Sequence, residues 1–242
     1  MHGSAQRKLF GVELPPRVAE VLRLVEARAR QPVNEVRGEA ADVAPVVGYF
    51  DDTGRPFIAC REAESAPPLE LVALEVSRLY HRNNRFEKNM PYAEMRHPGN
   101  QKLCRRLYRI MEEEIVISDA ASLDIPVRAF LREHYAKTLF EPLQAGKFRA
   151  KEPDPGRIRE GALDALEAAI AEYDEKAAKR LGMTVAELDS GIARPFGLML
   201  KVVEQHRPFD GADRVKAAYY LAVPFLFDAR KPSTPITNVR SM

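Results

Sequence analysis

The chain has 242 residues, of which 45% are apolar and 30% are charged, a composition typical of a folded globular protein rather than a disordered, collagen-like or membrane-spanning one. The net charge of +2 is too small to indicate a nucleic-acid or membrane partner from the total alone. Cys60 and Cys104 are the only two cysteines, which excludes a disulfide framework and a four-cysteine zinc site. The scarcity of cysteine favours a reducing, cytoplasmic setting. We also expect no cofactor and no membrane partner.

In the first half of the chain the pattern predicts two helices around one hairpin. A helix runs from Pro15 to about Arg30, and two β-rich segments joined by an Asp/Gly turn form a hairpin over 43–60. Pro67 and Pro68 then introduce an apolar core helix over 68–83. The residues expected in one core with the hairpin are Tyr49, Phe57, Ile58, Val72, Val76 and Leu79.

The second half is predicted to be helical. Apolar spacing indicates a helix from about Leu103, while residues 110–123 fit either its continuation or a short strand. Asp124 is predicted to be the N-cap of the next helix, with Pro126 in its first turn. A linker over 146–156 precedes a long helix from Pro155 to Leu181. Further helices are expected after a capping box at 184–187, over 195–206 and over 211–227, followed by a flexible tail over 231–242.

These elements predict an α+β fold, predominantly α-helical, with one β-hairpin or small antiparallel sheet. We expect an α+β domain over 1–145 and a helical part over 154–230 that packs against it.

The order of elements between Val43 and Leu123 resembles that of zincin-like metallopeptidases. In that family a strand borders the substrate cleft, and the following helix carries HExxH, whose histidines bind zinc while its glutamate activates water. Here the corresponding helix reads Ser77-Arg78-Leu79-Tyr80-His81, so only the last histidine remains. A guanidinium in place of the glutamate repels zinc and takes up no proton at neutral pH. The resemblance therefore implies an inactive member of the family.

Three residues are the candidates for catalysis: Glu70, His81 and His134. A metal-dependent hydrolase could use them together with other acidic residues, namely Glu75, Glu112, Glu113, Glu114 and Asp119. His134 also ends an Arg-x5-His spacing, from Arg128, that is found in small helical RNases of the HEPN type. The simpler interpretation is a solvated helix face with no metal.

Charge is distributed unevenly along the chain. Residues 78–109 contain nine Lys or Arg but only Glu87 and Glu94, whereas residues 160–189 contain eight acidic residues and three basic ones. The candidates for binding an anion are Arg78, Arg82, Arg85, Arg105 and Arg106. Because the acidic segment nearly matches the basic one, we expect the two to pair within or between chains rather than with nucleic acid.

These observations favour a non-catalytic binding or regulatory protein that acts through a protein partner or through self-association. The alternatives are a metal-dependent hydrolase with an unconventional Glu/His site, and a protein that binds anions or nucleic acid through residues 78–109.

Overall fold

The computed structural model describes residues 7–38, 44–61, 66–84, 100–137, 141, 155–172, 190–207, 209 and 211–227. Within these residues lie five short strands: β1 (Lys8–Leu9), β2 (Val12–Glu13), β3 (Asn34–Arg37), β4 (Val46–Phe50) and β5 (Pro56–Cys60). The helices of the described part are α1 (Pro16–Ala29), α2 (Leu69–Asn84), α3 (Gln101–Ser122), α4 (Val127–Tyr135), α5 (Pro155–Glu172), α6 (Ser190–His206) and α7 (Ala212–Phe227). The predicted fold class, α+β and mostly helical, is confirmed.

The predicted hairpin is formed by β4 and β5, which pair antiparallel with Val46 opposite Cys60. In its turn the Asp51 carboxylate accepts hydrogen bonds from the backbone N–H groups of Thr53 and Arg55, each at 2.9 Å, and Gly54 supplies a positive φ of 80°. The structure adds β3, which pairs in parallel with β5, so the sheet has the order β3-β5-β4. A separate two-stranded ribbon, β1 and β2, turns at residues 10–11.

The two faces of this sheet have different surroundings. Ile58 lies in the main core with α2, whereas Tyr49 and Phe57 are only partly buried and stack on each other with ring centroids 5.3 Å apart. The predicted single core is therefore wrong for Tyr49 and Phe57, because alternate residues of a strand point to opposite faces.

Helices α2 and α3 occupy the centre of the described structure. Helix α2 packs against β4, α1 and α3, and α3 also contacts α4, α5 and α7. Residues 110–122, for which the sequence allowed helix or strand, continue α3. One apolar core runs through α1, α2, α3 and the later helices.

Two predicted helix starts are corrected. Asp124 has a positive φ of 62° and pairs with Arg17 at 2.9 Å, and α4 begins after Pro126 without a side-chain cap. Helix α6 begins at Ser190, so that Pro195 lies inside it. The predicted helical segment 173–181, the capping box at 184–187, the tail at 231–242 and most of the linker at 146–156 lie outside the described residues. Across the described ranges, no helix has the length and apolar character needed to cross a membrane.

Candidate functional site

A buried cluster of charged side chains occupies the interface between α2, α3 and β4. We call it the ion-pair network, and its members are Glu75, Arg78, Arg82, Arg109, Glu112 and Glu113, each at most 5% exposed. Among these residues, the side chain of Arg78 is completely buried.

Arg78 is surrounded by acceptors. Its guanidinium donates to the Glu112 carboxylate at 2.9 Å, to the backbone carbonyl of Arg109 at 3.1 Å and to the Glu113 carboxylate. Glu75, one turn earlier on α2, lies 3.3 Å from Arg78 Nε. Four groups therefore compensate one buried guanidinium, as burial of a charge requires.

The other two arginines connect the helices to β4. Arg109 donates two hydrogen bonds to Glu75, at 2.5 and 2.9 Å, and one to the backbone carbonyl of Val46 at 3.3 Å. Arg82 donates to both oxygens of Glu112, at 2.8 and 3.2 Å, and to the carbonyl of Gly48 at 3.1 Å. The Gly48 N–H in turn donates to Glu75 at 2.7 Å. The network thus fixes the hairpin and both helices relative to one another.

The three glutamates of the network differ in the direction in which their pKa values are shifted. Burial would raise the pKa of Glu75 and Glu112, but the neighbouring guanidinium charges outweigh it, so that both pKa values lie below their ordinary range. Burial also raises the pKa of Glu113, and there the charges of Arg78 and Arg109 do not fully compensate, partly because Glu167 repels its negative form. Glu75 and Glu112 therefore remain ionised most firmly, and Glu113 takes up a proton more readily.

A cavity of about 140 Å³ adjoins the ion-pair network. One part of its wall is aliphatic and comes from the start of β4 and from α2 and α4: Pro45, Val46, Leu71, Leu74 and Leu131. The other part is polar and comes from α3, α4 and α5: Arg106, Arg109, Glu113, His134, Tyr135, Asp164 and Glu167. The mixture of an apolar wall with a few directed polar groups is typical of small-molecule sites.

The polar wall contains a second set of ion pairs. Arg106 of α3 contacts Asp164 and lies 2.8 Å from Glu167, both on α5. The Tyr135 hydroxyl hydrogen-bonds to Glu167, and burial raises the pKa of Tyr135 well above its ordinary value. Burial likewise raises the pKa of Asp164, although Arg106 opposes that shift.

The predicted pairing of the basic stretch with the acidic segment 160–189 is confirmed for Arg106. The other arginine candidates have different surroundings. Arg78 and Arg82 are buried among glutamates of α2 and α3, Arg105 is exposed, and Arg85 lies outside the described residues. An external anion therefore has no direct access to Arg78 or Arg82.

The candidates for catalysis do not converge. His81 is buried and contacts Asp119, Glu70 is partly buried in the first turn of α2, and His134 lies at the cavity and stacks on Phe130. In the part of the chain that the structure describes, no three His, Cys, Asp or Glu side chains are grouped so as to bind a metal.

The expected solvated face is wrong for several acidic residues. Glu75, Glu112, Glu113 and Glu114 are all buried, and Glu114 pairs with Arg207 at 2.7 Å. Sequence reasoning missed the network and the cavity residues Arg109, Tyr135, Asp164 and Glu167. The available signal was the spacing of charges of both signs by three or four residues, in Glu75, Arg78 and Arg82 on one helix and in Arg109, Glu112 and Glu113 on the next.

Comparison of the chain with protein-family models, curated proteins and solved structures finds no significant match.

Proposed function

We propose that the protein is a non-catalytic binding protein whose ligand occupies the cavity beside the ion-pair network, on a scaffold that resembles zincins without their metal motif. The observation that carries this proposal is the burial of Arg78 among carboxylates at the position of the missing glutamate. Each glutamate of the network already accepts hydrogen bonds from arginine. A general base needs a carboxylate that is free to contact substrate or water, and every carboxylate of the network is instead bonded to arginine.

The cavity supports the binding part of the proposal. Val46, Leu74 and Leu131 are at most 4% exposed, so this part of the wall is fixed by the core rather than formed by mobile surface side chains. Preformed concave sites of this kind bind ligands with little ordering cost.

A screen of small soluble fragments by ligand-observed NMR and thermal shift tests the proposal. We expect some fragments to bind and to stabilise the protein, and to lose both effects in Leu71→Trp, whose indole would fill the cavity from α2. The matched control is Leu24→Trp, because Leu24 is 49% exposed on α1, which does not line the cavity. Absence of any binding fragment, or equal binding to Leu71→Trp, would contradict the proposal.

We also infer that the protein acts in the cytoplasm and binds a protein partner or a second copy of the chain. Both cysteines are buried and are not joined in a disulfide, which suits a reducing compartment. For ligand binding to regulate another process, the ligand-bound protein has to contact another chain. Light scattering coupled to size-exclusion chromatography, with and without a bound fragment, measures self-association.

A further inference from the structure

We propose that the cavity binds a small molecule that carries one protonated amine on an apolar body about as large as a benzene ring. This inference rests on the proposed function and adds the class of ligand.

The charge balance of the site favours a cation. The ion-pair network and the adjoining wall together contain four arginines and five carboxylates: Arg78, Arg82, Arg106 and Arg109 against Glu75, Glu112, Glu113, Asp164 and Glu167. Each carboxylate contacts at least one arginine, but the set contains one more carboxylate than guanidinium, so its formal charge is −1 when all of its members are ionised. An uncompensated charge in a water-poor site is costly, and a cation that enters the cavity neutralises it.

The excess negative charge lies at the cavity rather than deep in the network. Glu75 and Glu112 are each paired with two arginines, whereas Asp164 and Glu167 share the single guanidinium of Arg106. The side chains of Asp164 and Glu167 are 28% and 17% exposed, so a ligand can reach them from the cavity. A proton on Glu113 or Asp164 is the natural competitor of a ligand cation at this site.

The two arginines of the same wall offer few hydrogen-bond donors to an anion. Arg106 is taken by two carboxylates, and Arg109 gives two hydrogen bonds to Glu75. One feature favours an acceptor instead, because the buried Nε of Arg109 has no hydrogen-bond partner among the described residues. The experiment must therefore compare a cation with an anion of the same shape.

The size and the aliphatic wall define the rest of the ligand. The volume of about 140 Å³ is close to that of an engineered protein cavity of about 150 Å³ that binds benzene. Leu71, Leu74 and Leu131 line this space and favour an apolar ring or branched chain over a second polar group.

Three ligands of one shape test the inference: benzylamine, benzyl alcohol and benzoate, each titrated by NMR at about pH 8, where an alkylamine remains protonated. We expect benzylamine to bind at least about tenfold more tightly than benzyl alcohol, as a charge-assisted hydrogen bond implies, and benzoate to bind most weakly. Asp164→Asn and Glu113→Gln each remove the excess charge with little change of shape. In either variant the preference for benzylamine should fall by about tenfold, while benzyl alcohol binds as before and so reports an intact cavity.

Glu133→Gln is the matched control, because Glu133 is exposed on α4 and pairs with Lys137. It should leave the preference for benzylamine unchanged. Equal binding of amine and alcohol, or tighter binding of benzoate, would overturn the inference while the cavity remained a binding site. A lack of binding by any fragment would instead refute the proposed function. N-acetyl-lysine methylamide is included as well, and its binding more tightly than benzylamine would overturn the assignment to a free small molecule.

Discussion

The buried side chain of Arg78 determines how α2 and α3 are aligned in the interior. Its side chain is completely buried, and removal of a guanidinium from water is compensated only when its donors find charged acceptors. Buried ion pairs often add little net stability relative to apolar packing, but they penalise every arrangement that separates the partners. Here they fix one alignment of α2 against α3.

Glu112 and Glu113 are neighbours in the sequence, but we expect their replacement by glutamine to lower the free energy of unfolding by different amounts. Glu112→Gln should lower the free energy of unfolding by about 3–5 kcal/mol, because Arg78 and Arg82 would lose their shared buried carboxylate. Glu113→Gln should cost clearly less, because burial raises the pKa of Glu113 and so already penalises its ionised form in the folded protein. Urea denaturation followed by circular dichroism measures both values. Equal losses would show that the two carboxylates are equivalent in the folded protein.

At the scale of elements, the approach of α2 to β4 depends on Gly48. A Cβ atom at Gly48 would lie 3.0 Å from the Glu75 carbonyl oxygen and 3.1 Å from Leu79 Cγ. Such contacts are tighter than ordinary packing, and one of them is to backbone. The glycine therefore lets the strand come close enough for its N–H and carbonyl to bond with Glu75 and Arg82.

Gly48→Ala should lower the free energy of unfolding by about 1–3 kcal/mol, because α2 must move away from the sheet. The control is Gly197→Ala within α6, where a Cβ meets nothing within 4 Å. There alanine should raise stability by about 0.5–1 kcal/mol through its helix propensity. Thermal and urea denaturation measure whether the two substitutions change the free energy of unfolding in opposite directions. A Gly48→Ala protein as stable as the parent would refute the close approach of α2 to β4.

Apolar spacing was sufficient to predict some elements and not others. Val72, Val76 and Leu79 repeat at helical intervals, so the sequence located α2 within one residue at each end. Strand β3 has the sequence Asn34-Glu-Val-Arg, in which polar residues conceal an edge strand. Alternate residues of each hairpin strand face the main core, and the sequence alone did not show which ones. Tyr49 and Phe57 were predicted to face it because they are aromatic, but they stack on each other on the opposite face of the sheet.

The charged site was less predictable for a physical reason. Charges spaced by three and four residues lie on one face of a helix whether that face meets water or a second charged helix. Burial of Glu75 and Arg78 follows only from the packing of α2 on α3, which depends on residues more than thirty positions apart. The pairing of Arg106 with residues 164 and 167 could be predicted, because the excess of basic residues over 78–109 is nearly matched by the excess of acidic residues over 160–189.

At the scale of the molecule, α3 connects the charged site to most of the described structure. It shares the ion-pair network with α2, and through Arg106 it is paired with α5. Its apolar side packs on α7, where Tyr108 meets Tyr219 edge to face at 5.3 Å. Protonation of the carboxylates along α3 is therefore expected to affect the stability of the whole fold.

The pH dependence of stability should have two limbs with opposite signs. The pKa values of Glu113 and Asp164 are raised in the folded protein, so their ionisation penalises the folded state, and that penalty disappears as pH falls through the raised values. The pKa values of Glu75 and Glu112 are lowered from the ordinary 4.5, so their contribution is complete above that value and is lost as pH falls below it.

The free energy of unfolding should therefore rise as pH falls through the raised pKa values of Glu113 and Asp164, pass through a maximum and then decrease as pH falls through the lowered pKa values of Glu75 and Glu112. Urea denaturation at steps from neutral to about pH 3 measures this profile. Glu113→Gln should flatten the rising limb and leave the acid limb in place, because it removes one group of the first kind and none of the second. A stability that decreased from neutral pH without a maximum would show that the folded protein ionises Glu113 and Asp164 without penalty, and the excess negative charge assigned to the cavity would then have a compensating partner.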